Sequence, residues 1–207
     1  FMFAHHMSTI EGGVICCNNE LDDSIIKASR AHGWVREINE EKKLDIISNS
    51  DIEDERFLFW ELGYNVRPTE ISATLGISEL RKIDKYVEIR NSNYEEYKSR
   101  LKVIDDKIQI QNLEDEKKSF RSNFSFGFTI NDTNKYYKSK LMEYLHEHGI
   151  ESRPLLAGNL ARHPFYSLYC EPPKVELINS DKIHYGGMYL PNHQNLNKKD
   201  ISYITDH

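Results

Sequence analysis

The segment that decides the fold is residues 1–13, FMFAHHMSTIEGG. Its first four residues, Phe1–Ala4, are apolar, as in a buried strand, and Gly12-Gly13 marks a turn ahead of the apolar run Val14–Cys17. The pattern predicts a strand, a polar loop with a glycine turn, and a second strand. We therefore expect His5-His6 to lie in a loop between two core strands, where functional side chains are often found.

The composition is that of an acidic globular protein. The chain has 207 residues, of which 39% are hydrophobic, so it is longer than the mode of about 100–150 residues for one domain. It can therefore form one domain, or one and a half, with a substantial core. The net charge is −6 and the pI is about 5.9, without the basic surface that binding to a phosphate backbone requires. We expect no nucleic-acid partner.

Cysteine usage and the length of the apolar runs indicate the compartment. Cys16, Cys17 and Cys170 are odd in number and two of them are adjacent, which fits neither a disulfide framework nor a CxxC site. A reducing cytoplasm is the expected location. The longest apolar runs, such as Phe57–Trp60, fall far short of the ~20 residues that cross a bilayer, so no membrane association is expected. Because the N-terminus lacks a signal-peptide pattern and an initiator, we expect Phe1 to lie inside a longer chain.

The first hundred residues carry mainly helical patterns. Apolar residues at helical spacing predict a helix from Leu21 to His32, ended by Gly33. The charged stretch 37–56 lacks a clear period and is predicted to be a surface loop. A second helical series begins after Thr69 as the N-cap and continues to Leu101, and we expect Gly76 and Ser78 to break it into a short and a long helix.

The pattern changes near residue 104, where we place a domain boundary between residues 1–104 and 105–207. Apolar residues then occupy even positions, which is the period of a half-buried strand: Phe120, Phe124, Phe126, Phe128 and Ile130.

A helix and a short strand are predicted next. Asp132 and Thr133 can cap the helix and Gly149 ends it, and Ile150–Arg153 is expected to form the strand. The apolar and aromatic residues that share one face of the helix are Tyr137, Leu141, Tyr144, Leu145 and His148. Strand, helix and strand together indicate a smaller α+β unit.

Taken by itself, the pair His5-His6 beside Glu11 favours a structural role, because histidines near strand ends are commonly hydrogen-bonded. A metal site is the second interpretation. Adjacent histidines on an extended segment point to opposite faces, however, and no third histidine stands at a recognised ligand spacing. We therefore predict no metal site.

The segment 1–13 resembles the cofactor-lysine segment of the DegT/DnrJ/StrS family of PLP-dependent sugar aminotransferases. His5 falls where that family has lysine, and a histidine there, followed by a second histidine and then Glu-Gly-Gly, resembles the family's sugar 3-dehydratase branch. The likeness continues through RAHGW at 30–34, LGYNVRPTE at 62–70 and GIESRPLLAGNLARHP at 149–164. It covers nearly the whole chain, with gaps at 37–56 and around 105–118.

This resemblance implies an α/β fold of the type I PLP-dependent transferase (aspartate aminotransferase-like) class. Residues 1–104 would form the C-terminal part of the large cofactor-binding domain, and residues 105–207 the small C-terminal α+β domain. The rest of the large domain, including the aspartate that pairs with the pyridine nitrogen, would precede Phe1. Some dehydratase relatives hold an iron–sulfur cluster through cysteines after the first helix; residues 34–60 contain none, so no cluster is predicted.

The resemblance also implies a reaction. Imidazole cannot hold the aldehyde of pyridoxal 5'-phosphate covalently, but it can act as an acid and a base near neutral pH. The cofactor would therefore serve as dissociable pyridoxamine 5'-phosphate, regenerated with glutamate as amino donor. His5 would be the catalytic, cofactor-contacting residue of a lyase that removes the C3 hydroxyl of a nucleotide-linked 4-keto-6-deoxy sugar, a step in deoxysugar and lipopolysaccharide biosynthesis.

Four further residues are implied with competing roles. Asn65 would reach the cofactor phosphate of the other subunit in a homodimer with a shared active site; alternatively it turns or caps the chain before the helix. Arg153, Asn159 and Arg162 would bind the glutamate carboxylate or the sugar nucleotide, since Arg presents a planar fork to anions. Structural ion pairing competes equally for both arginines.

Two other functions remain open from the sequence. One is an ordinary nucleotide-sugar aminotransferase of the same family, which would need a lysine elsewhere. The other is a non-catalytic fragment or a partner-binding module.

Overall fold

The computed structural model describes residues 5–110, 121–132 and 136–207, and its contacts divide the chain into two compact units, Phe1–Arg81 and Lys82–His207. The contacts group residues 82–104 with the second unit. The predicted boundary near residue 104 concerns the domains of a longer protein and stays a prediction. The predicted strand Phe1–Ala4 lies outside the described residues.

The first helix of unit 1, α1 (Glu20–Arg30), confirms the helix predicted at 21–32. Asn19 caps it, because its side-chain oxygen accepts a hydrogen bond from the backbone N–H of Asp22 at 2.7 Å. Gly33 ends it as predicted: its φ of +85° is in the left-handed region, and its N–H donates to the carbonyl of Ala28 at 2.8 Å.

A helix that the sequence did not reveal follows, α2 (Glu40–Ser48), so the prediction of a loop over 37–56 is wrong. Asn39 starts α2 by accepting hydrogen bonds from the N–H groups of Glu41 and Lys42. Ile46 and Ile47 pack against a small core of Ala28, Val35, Ile38 and Leu58. The mostly charged surface of α2 hid this short apolar pair.

Two helices follow Thr69, as predicted: α3 (Glu70–Leu80) and α4 (Ile83–Leu101). Thr69 caps α3 by accepting from the N–H of Ser72. The break falls at Arg81 and Lys82, so the break predicted at Gly76 and Ser78 is wrong. A Cβ atom on Gly76 would lie 3.1 Å from Cγ2 of Thr9, so this glycine allows the close approach of Thr9 to α3.

The apolar run Val14–Cys17 is not a strand, which corrects the predicted strand–turn–strand. Val14 and Ile15 are 67% and 72% exposed. A strand needs a partner for its backbone groups, and the strands of the described chain all belong to one sheet of unit 2. From residue 5 onwards, unit 1 has only isolated bridges, between Ala31 and Asn65 and between Trp34 and Phe59.

The sheet of unit 2 is antiparallel, in the order β1-β2-β4-β3. Its strands are β1 (Ile108–Ile110), β2 (Ser125–Ile130), β3 (Arg153–Pro154) and β4 (Gly187–Pro191). The even residues of β2 are buried, which confirms the period-2 pattern from Phe126 to Ile130; Phe124 precedes the strand and Phe120 lies outside the described residues.

Helix α4 covers this apolar face of β2. Tyr97 stacks on Phe126 with ring centroids 4.9 Å apart, and its hydroxyl donates to the carbonyl of Pro191 at 3.0 Å. Burial raises the pKa of the Tyr97 phenol, so the group stays neutral and keeps its donor. The same core includes residues from other elements of unit 2, among them Leu145, Met188 of β4 and Ile201.

Helix α5 (Tyr137–Glu147) and Gly149, with a φ of +72°, confirm the predicted helix and its end. The N-cap position is Tyr136, without a side-chain capping bond, so capping by Asp132 is wrong; Thr133 is not among the described residues. The predicted strand Ile150–Arg153 is shifted: Ile150 is buried in the core, and pairing begins at Arg153.

Three helices complete unit 2: α6 (Pro164–Tyr169), α7 (Ile178–Gly186) and α8 (Lys198–Asp206). Short 3-10 turns lie at Val35–Glu37, Glu55–Phe57, Lys102–Ile104 and Leu160–Arg162. Across the described ranges, no helix combines the length and the apolar character that a membrane span needs.

Candidate active site

The segment that follows His5 bends and is anchored on α3. His5 itself is exposed. Thr9 is buried against Gly76 of α3, and its hydroxyl donates to the carbonyl of Glu11 at 2.9 Å. Ile10 has a left-handed backbone, with a φ of +74°, where the chain bends ahead of Gly12 and Gly13. His5 is thus carried by a segment fixed a few residues further on, with its imidazole accessible.

Asn65 lies on an extended segment that is tied to the end of α1. Backbone N–H groups of Tyr64 and Val66 donate to the carbonyls of Ser29 and Arg30, at 2.7 and 3.1 Å. The side-chain amide of Asn65 is exposed and has no hydrogen-bonding partner within the described chain. Since Thr69 caps α3, Asn65 does not have the capping role that competed with cofactor binding.

Trp34 lies in a group of cationic and aromatic side chains. The guanidinium carbon of Arg36 is 4.0 Å from the Trp34 ring, and that of Arg67 is 5.9 Å away. The ring of His32 lies 4.6 Å from the same indole. Such a group stabilises cations on an aromatic face and can attract an anion. In the sequence, the motif RAHGW at 30–34 marks the position of this group.

Arg153 begins β3, where its pairing partner in β4 is Tyr189. Its guanidinium donates through both Nε and Nη2 to one carboxylate oxygen of Glu151. This bond raises the pKa of Arg153 further above its usual range. The two side chains are 61% and 68% exposed, so solvent screens the pair and a competing anion can reach Arg153.

Asn159 and Arg162 converge on Asp181 in α7. Arg162 donates to both carboxylate oxygens, from Nε at 2.5 Å and from Nη2 at 2.7 Å. The buried Asn159 adds a third bond from Nδ2 at 2.6 Å, while its Oδ1 accepts from the N–H of Ala161. These donors hold the pKa of the Asp181 carboxyl at about 2, mainly through Arg162.

Asp181 and His184 of α7 form the hydrogen bonds that hold Asn159 and Arg162, and the sequence did not indicate either of them. Nδ1 of His184 accepts from the backbone N–H of Asn159 at 3.3 Å. Both residues are in a stretch of α7 without a motif, and Asp181 is distant in sequence from the arginine that it pairs with. Only the fold brings them together.

The predicted site residues therefore fall into two groups. His5 and Asn65 belong to unit 1. Asn159 and Arg162 meet in unit 2, on the loop that follows the strand of Arg153. In the part of the chain that the structure describes, no three His, Cys, Asp or Glu side chains cluster in a way that could hold a metal ion.

Comparison with solved structures defines the class of protein. E. coli GDP-4-keto-6-deoxy-D-mannose-3-dehydratase with bound hydrated PLP is 28% identical, with a TM-score of 0.82 over 99% of this chain and 52% of that chain. A GDP-4-keto-6-deoxymannose-3-dehydratase with a trapped PLP-glutamate geminal diamine is 27% identical, with a TM-score of 0.80 over 99% and 52% of the two chains. The chain thus has the predicted α/β fold of the PLP-dependent aminotransferase class.

The sequence identifies the family. Residues 1–207 match the DegT/DnrJ/EryC1/StrS aminotransferase family, and the chain belongs to it. The GDP-4-keto-6-deoxy-D-mannose 3-dehydratase of Escherichia coli O55:H7 is 30% identical over 205 residues, which are 99% of this chain and 52% of that protein. The chain spans about half the length of the curated relatives it matches.

Proposed function

We propose that the protein to which this chain belongs is a PLP- and PMP-dependent lyase, which removes the C3 hydroxyl of a nucleotide-linked 4-keto-6-deoxy sugar. The observation that carries the proposal is His5, an imidazole in the segment that resembles the cofactor-lysine segment of the family. The similarity to two solved 3-dehydratases and a curated one supports it. GDP-4-keto-6-deoxymannose is the substrate we favour, in lipopolysaccharide biosynthesis.

The residues present fit the cofactor. Asn65 offers two amide donors on a segment fixed by backbone hydrogen bonds, which suits a phosphate, and the absence of a side-chain hydrogen-bonding partner among the described residues supports that role. His5 is accessible and cannot capture an aldehyde. When the cofactor is bound, its pyridine ring supplies an electron sink, which makes the proton on its C4′ carbon more acidic.

His5 acts twice in the proposed reaction, first as a general base and then as a general acid. Its neutral imidazole removes the proton from the C4′ carbon of the cofactor, and the resulting imidazolium gives a proton to the C3 oxygen as the C3–O bond breaks. The hydroxyl leaves as water. Glutamate supplies the two electrons and two hydrogens, so the net products are the 3-deoxy-4-keto sugar, 2-oxoglutarate and ammonia.

Substrate contacts belong to the second unit in this proposal. Arg153 is the first candidate because it is exposed and its pairing with Glu151 is screened by solvent. Asn159 and Arg162 remain candidates for the sugar nucleotide or for the glutamate carboxylate. We further propose a cytoplasmic homodimer, in which Asn65 reaches the cofactor phosphate of the partner.

Amino transfer, the reaction for which the family is named, is the alternative. It requires an amine that forms a covalent link with the cofactor aldehyde, and His5 has none. A non-catalytic role is the remaining alternative, and failure to bind PMP would favour it.

The test is a single incubation. The protein, purified as its gene encodes it, is given PMP, glutamate and GDP-4-keto-6-deoxymannose, and the sugar product is analysed by mass spectrometry. Loss of one oxygen without gain of nitrogen supports the proposal. Replacement of the C4 keto oxygen by nitrogen, with the C3 hydroxyl retained, indicates amino transfer and contradicts it.

Two variants of His5 sharpen the result. His5→Asn keeps a polar side chain without an acid–base group, and we expect product formation to fall by roughly 10²–10⁴-fold. His5→Lys restores an amine, so we expect borohydride to reduce an adduct with PLP in that variant and not in the wild type. Undiminished activity of His5→Asn would contradict the assignment of His5 as the acid–base residue.

A further inference from the structure

The loop between β3 and α6, residues 155–163, follows directly after Arg153–Pro154 and is held in a strained conformation. Leu156 and Gly158 both have left-handed backbones, with φ of +50° and +63°. A left-handed leucine costs free energy and persists only where its surroundings hold it. Within the loop, Nε2 of His163 lies 2.8 Å from the carbonyl of Ala157.

Helix α7 supplies the contacts that hold this β3–α6 loop. The Asp181 carboxylate accepts three hydrogen bonds from two loop side chains, Arg162 and Asn159. Asn159 is only 5% exposed, so its amide is fixed by packing as well as by this bond. A carboxylate that accepts a bidentate arginine and an amide sets the position and the orientation of both donors.

Backbone packing adds a second constraint. A Cβ atom on Gly158 would lie 2.7 Å from Nδ1 and 2.8 Å from Cα of His184, one turn along α7 from Asp181. The loop backbone therefore lies directly on the helix. The N–H of Leu155 also donates to the carbonyl of Gly187, at the start of β4, at 2.9 Å.

In this geometry the guanidinium of Arg162 is already paired with the carboxylate of Asp181. Its Nε and Nη2 form the edge that a guanidinium presents to a carboxylate or phosphate, and Asp181 occupies that edge. A substrate anion that used the same fork would first have to displace a carboxylate held by three bonds. The carboxylate that pairs with Arg153, just before the loop, belongs to Glu151, and both of these side chains are exposed.

We infer that Asp181 is a positioning residue for substrate binding: through Arg162 and Asn159 it fixes the β3–α6 loop, and thereby the strand end that presents Arg153. The inference rests on the proposed function, because it takes Arg153 as the group that meets the sugar nucleotide. Asp181 itself touches no substrate. It acts by keeping the loop in one conformation.

The test compares Asp181→Asn with wild type in the protein as its gene encodes it. The variant keeps the shape of the side chain and removes its charge. We expect amide exchange across residues 155–163 to speed up by about tenfold, with β2 and α8 unchanged. We expect KM for GDP-4-keto-6-deoxymannose to rise by about tenfold while kcat changes little, because orientation of the substrate is lost and the chemistry is not.

Two further variants serve as a check and a control. Arg162→Gln breaks the same contact from the loop side and should reproduce the faster loop exchange, even if Asp181→Asn folds poorly; the KM readout stays with Asp181→Asn, because Arg162 is itself a candidate for substrate binding. Asp23→Asn removes a comparable exposed ion pair, with Lys27 at 2.7 Å in α1, and should change neither readout.

Each outcome decides the inference. Faster loop exchange together with raised KM supports it. Unchanged loop exchange in both variants overturns it, and so does a looser loop with unaltered KM, since the loop would then not position the substrate. Should the wild type show no dehydration and bind no GDP, the proposed function fails and the positioning role with it, while the exchange data still report separately whether Asp181 holds the loop.

Discussion

The carboxylate of Asp181 accepts three hydrogen bonds although it is only partly shielded from water. Its pKa of about 2 lies below the ordinary value of 3.8, so the folded state favours the charged form. A carboxyl group with a depressed pKa stabilises the fold at every pH above its unfolded value, and that contribution is lost as the pH falls through the folded value. The contact with Arg162 and Asn159 should therefore survive mild acid.

We predict that the β3–α6 loop stays ordered from neutral pH down to about 4 and loosens only as the pH falls from about 4 towards 2. The measurement is an NMR titration of the Asp181 carboxyl carbon, with the backbone amides of residues 155–163 followed in the same spectra. In Asp181→Asn the loop should show no such acid transition. Loosening that began near pH 6 in the wild type would contradict this assignment.

At the scale of elements, two glycines decide how the end of α1 meets the segment that carries Asn65. A Cβ atom on Gly33 would lie 1.8 Å from the carbonyl oxygen of Glu61, and one on Gly63 would lie 2.0 Å from the backbone nitrogen of Gly33. Two backbones therefore cross with no room for a side chain. Only glycine at both positions permits the crossing that positions Asn65.

We predict that Gly33→Ala destabilises unit 1 by roughly 3 kcal/mol or more, since the alanine methyl group meets backbone that has no alternative position. Gly149→Ala is the matched control: Gly149 also has a positive φ, but open space surrounds its Cβ position. There we expect only the left-handed penalty of about 1–2 kcal/mol. Denaturant unfolding, followed by circular dichroism, compares the two; equal losses would mean that the crossing is not rigid.

Sequence patterns predicted those elements whose signal is local. Helix α1, the start of α3 and the strand β2 follow from caps and from periods of 3.6 or 2, which neighbouring residues determine. Helix α2 was missed because its core-facing apolar residues are the pair Ile46 and Ile47, whose role depends on packing against the cluster of Val35 and Leu58. The Val14–Cys17 run was taken for a strand because apolar character does not reveal whether a partner strand exists.

The candidate site also contains residues that local motifs indicate and residues that only the fold brings together. His5 and Asn65 could be found because each stands in a motif that resembles the family's. Asp181 could not, because its role depends on a contact across 19 residues with Arg162, which no period or motif encodes. The sequence left substrate binding and ion pairing as equal competitors for Arg162; the structure adds the ion pair and its partner.

At the scale of the whole molecule, the two units have unequal cores. In the residues of unit 2 that the structure describes, the core cluster contains thirteen buried hydrophobic residues, including Tyr97, Phe126 and Met188. In the described part of unit 1, the core cluster has four such residues, and several of its apolar side chains are exposed: Leu62 at 93% and Ile71 at 70% are examples. Because burial of apolar surface is the main source of stability, unit 2 should be the more stable.

We therefore predict that hydrogen exchange on the whole chain will protect the amides of β2, β4 and α4 most strongly, with those of α1 and α2 opening at lower free energy. Phe126→Ala should lower the protection of unit 2 by about 3–5 kcal/mol, because it removes a fully buried ring from the centre of that core. Tyr169→Phe, at a side chain that is 84% exposed, should leave every amide within about 0.5 kcal/mol of wild type. If α1 proved as strongly protected as β2, the stability of unit 1 would have to come from contacts beyond its own small core, and burial within each unit would no longer account for the stability of the chain.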